Sequence, residues 1–305
     1  MAPSPRIHLA PAGRRAWLAD AIRAGGGEIV DLPEAEGLVW ASAGDPEALT
    51  AALAAGPQLR WIQLPWAGVD KVAGVLDDAH TWTSGKGVYA EPVAEMALTL
   101  ALAGLRGFGT YARATSWSGP EGANLLGAEV CVVGAGGIAR SLLRLLAPFG
   151  CRVTVVRRHA EPVEGADRVV ALDDLDDALV SARVVFLAVA LTPETTGLFD
   201  ARRFGHMRTD AWLVNVARGG HVVTDDLVAA LSAGAIGGAG LDVTDPEPLP
   251  EGHPLWSMPN VLITPHVGNT PEMAVPLLSR RVTENVRRFG AGEPLVGLVD
   301  PTAGY

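Results

Sequence analysis

The stretch from Val132 to Ala139 reads Val-Val-Gly-Ala-Gly-Gly-Ile-Ala and decides the fold. It contains a G-x-G-x-x-A pattern, follows an apolar run that begins at Glu129, and opens a segment with a continuous apolar stripe. The stripe consists of residues at positions i, i+4, i+7 and i+11, namely Ile138, Leu142, Leu145 and Phe149. This order predicts a strand, a glycine-rich turn and an amphipathic helix, the context in which the pattern indicates dinucleotide binding.

The residue type at each position of the pattern suits dinucleotide binding for a structural reason. Gly134 permits a tight turn, and Gly136 lets the backbone approach a pyrophosphate closely. Ala139 keeps the helix near the strand. The unpaired N–H groups at the helix N-terminus, at Gly137 and Ile138, are suited to hold a phosphate. An ordinary turn between a strand and a helix is the alternative interpretation.

Strand and helix patterns alternate outward from this turn. Apolar runs that predict strands lie at 129–133, 152–156, 184–190, 211–216, 238–243 and 261–264. Helical patterns separate most of them, one of which begins at Thr224, a residue suited to an N-cap. Asp173 to Asp177 is interpreted as a solvated helix start and not as an ion site. Because the strands are apolar on both faces, the sequence predicts a doubly wound α/β domain with a parallel sheet.

The first 111 residues are predicted as smaller α/β units followed by a long helix. Strands are expected near 6–9, 38–41 and 59–64, and helices near 14–24 and 45–54. From Pro92 to about Tyr111 nearly every position is apolar, which predicts a helix buried between layers or between domains. The run 117–122 contains glycine and proline and is expected to end this segment.

The residues after the second predicted strand indicate which dinucleotide binds. An NAD site needs an acidic residue there for the ribose 2′-OH, whereas this chain has Val156-Arg157-Arg158-His159. Arg157 and Arg158 can bind a 2′-phosphate through charge-assisted hydrogen bonds. The residues favour NADP over NAD, with solvated surface charges beside Glu161 as the alternative.

Three later segments place reactive groups at predicted strand ends. They are Asn215-Val216-Ala217-Arg218-Gly219, Asp242 to Leu249 with Glu247 in a proline-rich loop, and Thr264-Pro265-His266. Each charged residue alone could be structural. Together, behind a dinucleotide loop, they supply a cation for a carboxylate and carbonyl, a proton donor, and an acid that favours the protonated imidazole.

In this order and spacing, the segments resemble the motifs of the D-isomer-specific 2-hydroxyacid dehydrogenases. The resemblance implies that Arg218 binds the substrate carboxylate and polarises the keto group. It implies that His266 is the general acid/base and that Glu247 pairs with it. No metal is expected in such a site.

Further roles follow from the same resemblance. The backbone amides of Ala67, Gly68 and Val69 are expected to hold the substrate carboxylate. Asp242 is expected near the nicotinamide carboxamide, and Thr192 lies in a loop expected beside the cofactor. Two features depart from the family pattern: Ala139 replaces a third glycine, and Arg157 stands where NAD-using members carry an acid.

The family also implies the domain layout. A Rossmann cofactor domain, residues 93–274, is expected to be inserted in a smaller flavodoxin-like α/β substrate domain made of residues 1–92 and 275–305. A homodimer is implied by the resemblance alone. The expected reaction is hydride transfer between NAD(P)H and a small 2-oxo acid, with glyoxylate or hydroxypyruvate as substrate. The alternatives are a 3-phosphoglycerate dehydrogenase and a cofactor-sensing corepressor-like binding protein.

Composition sets outer limits on partners and location. The chain has 305 residues, a net charge of −10, and only two lysines, Lys71 and Lys86. This acidity argues against nucleic acid as a partner. Cys131 and Cys151 sit in apolar runs and are expected to be buried thiols. The first residues contain no apolar signal segment and no run is long enough to cross a membrane, so a cytoplasmic protein is expected.

Overall fold

The computed structural model describes residues 4–42 and 44–302 and divides the chain into two compact units. The large unit comprises Ala90–Asn269, and the small unit comprises the described residues before and after it. Met1, Ala2 and Pro3, on which the expected lack of a signal segment partly depends, lie outside the described residues. Among those described, no helix is both long and apolar enough to cross a membrane.

The large unit is built on a seven-stranded parallel sheet. Its strands are β6 (Glu129–Val133), β7 (Arg152–Arg157), β8 (Arg168–Ala171), β9 (Val184–Leu187), β10 (Trp212–Asn215), β11 (Gly238–Leu241) and β12 (Val261–Ile263). Their order in the sheet is β12-β11-β10-β9-β6-β7-β8. This is the doubly wound order of a Rossmann sheet. The strands stay parallel, and the direction in which successive strands are added reverses between β6 and β9.

Helices cover both faces of this sheet. They are α3 (Ala90–Leu105), α4 (Phe108–Arg113), α5 (Gly137–Leu146), α6 (Leu175–Leu179), α7 (Ala201–His206) and α8 (Thr224–Ser232). One buried cluster lies under α3 and α5, and another lies under α6, α7 and α8. The predicted doubly wound α/β class is confirmed.

Helix α3 packs directly on the sheet, which explains its nearly uniform apolar sequence. A Cβ on Gly104 would lie 2.3 Å from the Trp212 ring, and one on Gly240 would lie 2.8 Å from Leu100 Cβ. The predicted continuation to Tyr111 is wrong, because the helix ends at Leu105. Gly107 then adopts left-handed φ of 65° and a separate helix begins at Phe108.

The small unit contains a five-stranded parallel sheet in the order β2-β1-β3-β4-β5. Its strands are β1 (Arg6–Ala10), β2 (Glu28–Ile29), β3 (Gly37–Trp40), β4 (Trp61–Gln63) and β5 (Thr81–Thr83). This is the flavodoxin-like order. Helices α1 (Leu18–Ala24), α2 (Pro46–Ala55) and α9 (Pro271–Ala291) complete the unit, with α9 contacting α1. The predicted class of a flavodoxin-like unit interrupted by a Rossmann unit is confirmed.

Several local predictions are corrected. The helix expected from residue 14 begins at Leu18. The apolar runs predict no strand at β2, β5 or β8: β2 and β5 have only two and three residues, and β8 lies at the edge of its sheet and lacks a long apolar run. Thr224 is not an N-cap: it is the first residue of α8, and its hydroxyl donates to the Asp245 carbonyl instead. In the acidic run, Asp176 forms ion pairs with Arg202 and Arg203 and is therefore not simply solvated.

Candidate active site

The glycine loop joins β6 to α5 with the geometry that a pyrophosphate requires. Gly134 has φ of 114°, and a Cβ there would lie 2.2 Å from the Ala188 carbonyl oxygen. Gly136 forms the N-cap of α5 and has open space where its Cβ would be. The exposed N–H groups at the start of α5, at Gly137 and Ile138, therefore face a cradle free of side chains, and the loop fits a dinucleotide.

The two arginines at the end of β7 have different surroundings. Arg157 is three-quarters buried and forms an ion pair with Glu161, with Nη2 3.1 Å from Oε2. Arg158 is exposed and lies near Glu194, whose carboxylate accepts a 2.7 Å hydrogen bond from the Thr192 hydroxyl. That hydrogen bond lowers the pKa of Glu194, and the positive charge of Arg158 adds to the effect. Glu194 therefore interacts with both residues, with Thr192 through a hydrogen bond and with Arg158 through its charge.

Asp242 fixes the turn that carries His266. Only 3% of Asp242 is exposed, yet its carboxylate accepts three hydrogen bonds from the segment after β12. Oδ1 accepts from the Thr264 hydroxyl at 2.6 Å and from Val267 N at 2.9 Å, and Oδ2 accepts from Gly268 N at 2.9 Å. The buried charge is satisfied by this short turn, so the turn has one conformation.

His266 sits at the point of the turn, paired with Glu247. Its backbone φ is 54°, a left-handed value that is uncommon for a side chain with a Cβ. Its amide donates to the Asp242 carbonyl at 2.8 Å. The imidazole Nδ1 lies 2.9 Å from Glu247 Oε1, and about half of the His266 side chain is exposed. Since Glu247 engages Nδ1, Nε2 is the nitrogen left to face a ligand.

Arg218 follows β10 on a turn held by Asn215. This asparagine is fully buried: its amide donates to the Arg218 carbonyl at 2.8 Å, and its Oδ1 accepts from Ala217 N at 3.0 Å. A Cβ on Gly219 would lie 1.9 Å from the Thr244 carbonyl oxygen, so this turn packs against the loop that leads to Glu247. The structure therefore gathers Arg218, Glu247 and His266 at the carboxyl edge of neighbouring strands β10, β11 and β12.

Comparison with known proteins identifies the family of the chain. The model of the family described as "D-isomer specific 2-hydroxyacid dehydrogenase, NAD binding domain" matches residues 96–268. The chain belongs to the D-isomer specific 2-hydroxyacid dehydrogenases. The resemblance expected from the sequence motifs is thus confirmed. Members of this family are NAD(P)-dependent enzymes that act on a CH–OH group, and this chain is one of them.

Individual relatives of this dehydrogenase cover different shares of it. The human glyoxylate reductase/hydroxypyruvate reductase is 32% identical over 79% of this chain and 77% of that protein. The glyoxylate/hydroxypyruvate reductase A of Yersinia enterocolitica is 35% identical over 57% of this chain and 55% of that protein, just over half of its length. A D-isomer specific 2-hydroxyacid dehydrogenase of Xanthobacter autotrophicus, solved with NADPH and MES, is 30% identical with a TM-score of 0.86, covering 99% of this chain and 100% of that one.

His221 is a structural residue of this dehydrogenase that the sequence analysis did not single out. It is fully buried, with Nδ1 2.9 Å from the Thr195 carbonyl and Nε2 3.1 Å from the Val189 carbonyl. The ring therefore joins the turn after Arg218 to the loop that contains Thr192. Burial lowers the pKa of His221, against the two carbonyl contacts, and the nearby Arg218 charge lowers it further. The available signal in the sequence was the pair of valines that follows His221.

The loop expected to bind the substrate carboxylate belongs to the small unit. It follows β4, with Ala67 and Gly68 exposed and Val69 buried. Ser84 Oγ lies 3.5 Å from the Ala67 carbonyl, and Gly85 N donates to the Trp66 carbonyl at 2.7 Å. The loop is therefore fixed by the segment after β5, with its exposed backbone at the carboxyl edge of the sheet.

Two other kinds of reactive group, a buried thiol and side chains that can bind a metal, occur within the part of the chain that the structure describes. Cys131 is buried within β6, and burial raises the pKa of its thiol to about 12, so it is not a nucleophile at neutral pH. Within the described ranges, no group of three or more histidine, cysteine or acidic residues has the arrangement of a metal site.

Proposed function

We propose that this dehydrogenase reduces small 2-oxo acids, with glyoxylate and hydroxypyruvate as substrates and NADPH as the preferred cofactor. The observation that carries this proposal is the His266–Glu247 pair at 2.9 Å, at the same edge of strands as Arg218 and in the unit that holds the glycine loop. The human and Yersinia relatives bear these substrates in their names, and the Xanthobacter structure contains NADPH.

Each residue has a defined task in this proposal. Arg218 binds the substrate carboxylate and stabilises charge that develops on the keto oxygen, as a fixed cation does in a preorganised site. His266 delivers a proton to that oxygen from Nε2, while Glu247 holds Nδ1. The amides of Ala67, Gly68 and Val69 are assigned to the substrate carboxylate as well. NADPH, when bound, supplies the hydride.

The cofactor is assigned to the large unit. The amides of the loop from Gly134 to Ile138 are assigned to the pyrophosphate, Asp242 to the nicotinamide carboxamide, and the loop that contains Thr192 to the side of the cofactor. Arg157 and Arg158 would bind the 2′-phosphate of NADP, for which Arg157 exchanges its contact with Glu161. We assign residues 93–274 to cofactor binding, and residues 1–92 with 275–305 to substrate binding.

A turnover panel tests the proposal. The purified protein is assayed for oxidation of NADPH and of NADH with glyoxylate, hydroxypyruvate, pyruvate and phenylpyruvate. We expect the first two acids with NADPH to give the highest kcat/KM. Faster oxidation of NADH with the best acid would contradict the role of Arg157 and Arg158. Tight NADPH binding without turnover of any acid would favour the corepressor-like alternative.

A homodimer is the proposed assembly, and the segment after α3 is its contact. Four large apolar side chains between residues 106 and 126 are exposed: Phe108, Tyr111, Trp117 and Leu126, with Trp117 fully so. A second copy of the chain would cover them, because exposed apolar side chains concentrated in one segment mark interaction surfaces. Light scattering is expected to give twice the monomer mass, and Trp117→Ser with Phe108→Ser is expected to shift it toward monomer. A monomeric parent protein would contradict the assignment.

The location is also a proposal. Cys131 and Cys151 are free thiols in this fold, as in proteins of a reducing compartment, which supports a cytoplasmic location. Fractionation of cells that express the tagged protein is expected to recover it with cytoplasmic markers, and recovery in a periplasmic or membrane fraction would overturn this.

A further inference from the structure

Arg15 occupies an unusual position in the small unit. Among the described residues, Arg15 and His266 are the two non-glycine residues with positive φ, at 45° and 54°. Arg15 follows β1, and the parallel pairing of β1, β3, β4 and β5 brings the ends of these strands to one edge. Ligands of open α/β sheets bind at that edge, and strained residues persist where the surrounding structure holds them for a task.

The surroundings hold the Arg15 guanidinium in a fixed orientation. Its Cζ lies 4.5 Å from the centroid of the Trp66 ring, and its Nη1 donates to the Ala41 carbonyl beyond β3. Trp66 directly precedes Ala67 and packs against Tyr89 with ring centroids 5.7 Å apart. Tyr89 in turn donates to the Pro65 carbonyl at 2.6 Å. The cation is therefore stacked on the same loop that presents the Ala67 and Gly68 amides.

This guanidinium carries a charge without a carboxylate partner among the described residues. It is half-buried, and burial lowers its pKa, with the Arg14 charge acting in the same direction and Tyr89 against it. One face of the guanidinium lies on the Trp66 ring, and Nη1 donates to the Ala41 carbonyl. In the described part of the chain, the edge formed by Nε and Nη2 makes no hydrogen bond. That edge has the geometry that binds a carboxylate through two parallel bonds.

A second cation nearby has its own partners and is not part of this edge. Arg281 donates to the Ser84 carbonyl at 2.9 Å and to the Lys86 carbonyl at 3.0 Å, which ties α9 to the segment after β5. Both terminal nitrogens of Arg281 are therefore engaged by backbone carbonyls. In the part of the chain that the structure describes, Nε and Nη2 of Arg15 keep their hydrogen-bonding capacity.

We propose that Arg15 binds the second carboxylate of a 2-oxodicarboxylic acid, a substrate class of this site that extends beyond glyoxylate and hydroxypyruvate. The inference rests on the proposed function, in which the amides of Ala67 and Gly68 bind the first carboxylate. Reduction is unchanged: C2 gains a hydride from NADPH, its oxygen gains a proton, and the product is a 2-hydroxydicarboxylate. A carboxylate fits a single fork better than a phosphate, which draws several donors.

Steady-state kinetics test this with acids of matched length. Oxaloacetate and 2-oxobutanoate differ by a carboxylate in place of a methyl group. We expect the wild-type kcat/KM for oxaloacetate to exceed that for 2-oxobutanoate by roughly tenfold or more, since a charged hydrogen-bond pair has this effect. Arg15→Gln should reduce the ratio of the two values by roughly 10- to 100-fold, mainly through KM.

Two further variants separate the role from a structural one. Arg15→Lys keeps the charge without the fork and should recover part of the ratio. Arg14→Gln removes the exposed neighbouring charge and should leave every value unchanged. Equal losses by Arg15→Gln on both acids would overturn the proposal, because they would show that Arg15 merely holds the loop. A larger loss on 3-phosphohydroxypyruvate than on oxaloacetate would overturn the carboxylate assignment.

Calorimetry keeps the test independent of turnover. D-malate and D-lactate are titrated into protein saturated with NADPH, where no reaction can proceed. D-malate should bind at least about tenfold more tightly than D-lactate, and Arg15→Gln should abolish the difference. Equal affinities in the wild type would overturn the subsite. Selective D-malate binding with no turnover of any 2-oxo acid would support the subsite and contradict the proposed function.

Discussion

The large and small units hold their ligand-facing loops in different ways. In the large unit, buried polar side chains bond to the backbone of each turn: Asn215 holds the Arg218 turn and Asp242 holds the His266 turn. In the small unit, hydrogen bonds to the Pro65 and Trp66 carbonyls also hold the loop, and the side chains of Arg15 and Tyr89 pack against Trp66 in addition. Buried hydrogen bonds fix the backbone, and therefore the chemistry. Side chains that pack on such a loop can be substituted while the backbone keeps its conformation. They are therefore suited to determine substrate specificity.

Loss of His266 should have the largest effect, because its turn exists to position one imidazole. His266→Ala removes the proton donor and should lower kcat roughly 10²- to 10⁴-fold with glyoxylate. The NADPH dissociation constant, measured by fluorescence, should change little, since the glycine loop is untouched. A variant that kept near wild-type rates with every 2-oxo acid would refute the assigned role.

Gly134→Ala should cause the next largest effect, on stability and cofactor binding together. The new Cβ would meet the Ala188 carbonyl at 2.2 Å with φ at 114°. Overpacking and backbone strain together should lower the free energy of unfolding by about 2–5 kcal/mol. Gly150→Ala is the matched control: φ there is 63° with open space, so only the strain of about 1–2 kcal/mol applies. Equal losses in urea unfolding would contradict the close approach.

Asp242→Asn probes the buried carboxylate under the His266 turn. An asparagine keeps one acceptor oxygen where three donors converge, so the free energy of unfolding should fall by about 1–3 kcal/mol. The kcat should fall as well, because the turn loses its single conformation. Asp245→Asn, the same change at an exposed site three residues later in the same loop, should affect neither quantity. Unchanged urea unfolding of the Asp242 variant would show that the turn is held by other contacts.

The smallest expected effect is a pH dependence that originates at His221. Its pKa is lowered in the folded protein, so it binds a proton more readily after unfolding. Its contribution to stability is thus complete above the unfolded pKa of about 6.5 and is lost as pH falls toward the folded value. Urea unfolding is measured between pH 8 and 5. The free energy of unfolding should fall less steeply with decreasing pH for His221→Gln than for the wild type. His159→Gln, at an exposed histidine, should keep the wild-type slope.

The same contrast between units explains what sequence could predict. In the large unit, strands β6, β9, β10 and β11 follow the predicted apolar runs, because each is central in the sheet and apolar on both faces. Edge strand β8 and the short β5 lack such runs and were missed. Thr224 illustrates a further limit: its cap propensity is local, but the Asp245 carbonyl that takes its hydroxyl is brought there by tertiary packing.

The candidate site shows the same division. Arg218, Glu247 and His266 lie in sequence patterns, and the structure brings them to one edge. The donors that converge on the Asp242 carboxylate could not be predicted, since they depend on how β11 and β12 align. Arg15 is harder still: nothing in its sequence neighbourhood indicates left-handed backbone or a stack on Trp66, a residue 51 positions away.

The product of the proposed reaction provides its most direct test. Hydroxypyruvate is incubated with the wild-type protein and limiting NADPH, and the glycerate formed is resolved by chiral chromatography. A D-isomer specific fold with His266 as proton donor predicts one D-glycerate for each NADPH oxidised. L-glycerate, or NADPH that stays reduced with hydroxypyruvate and glyoxylate alike, would contradict the account.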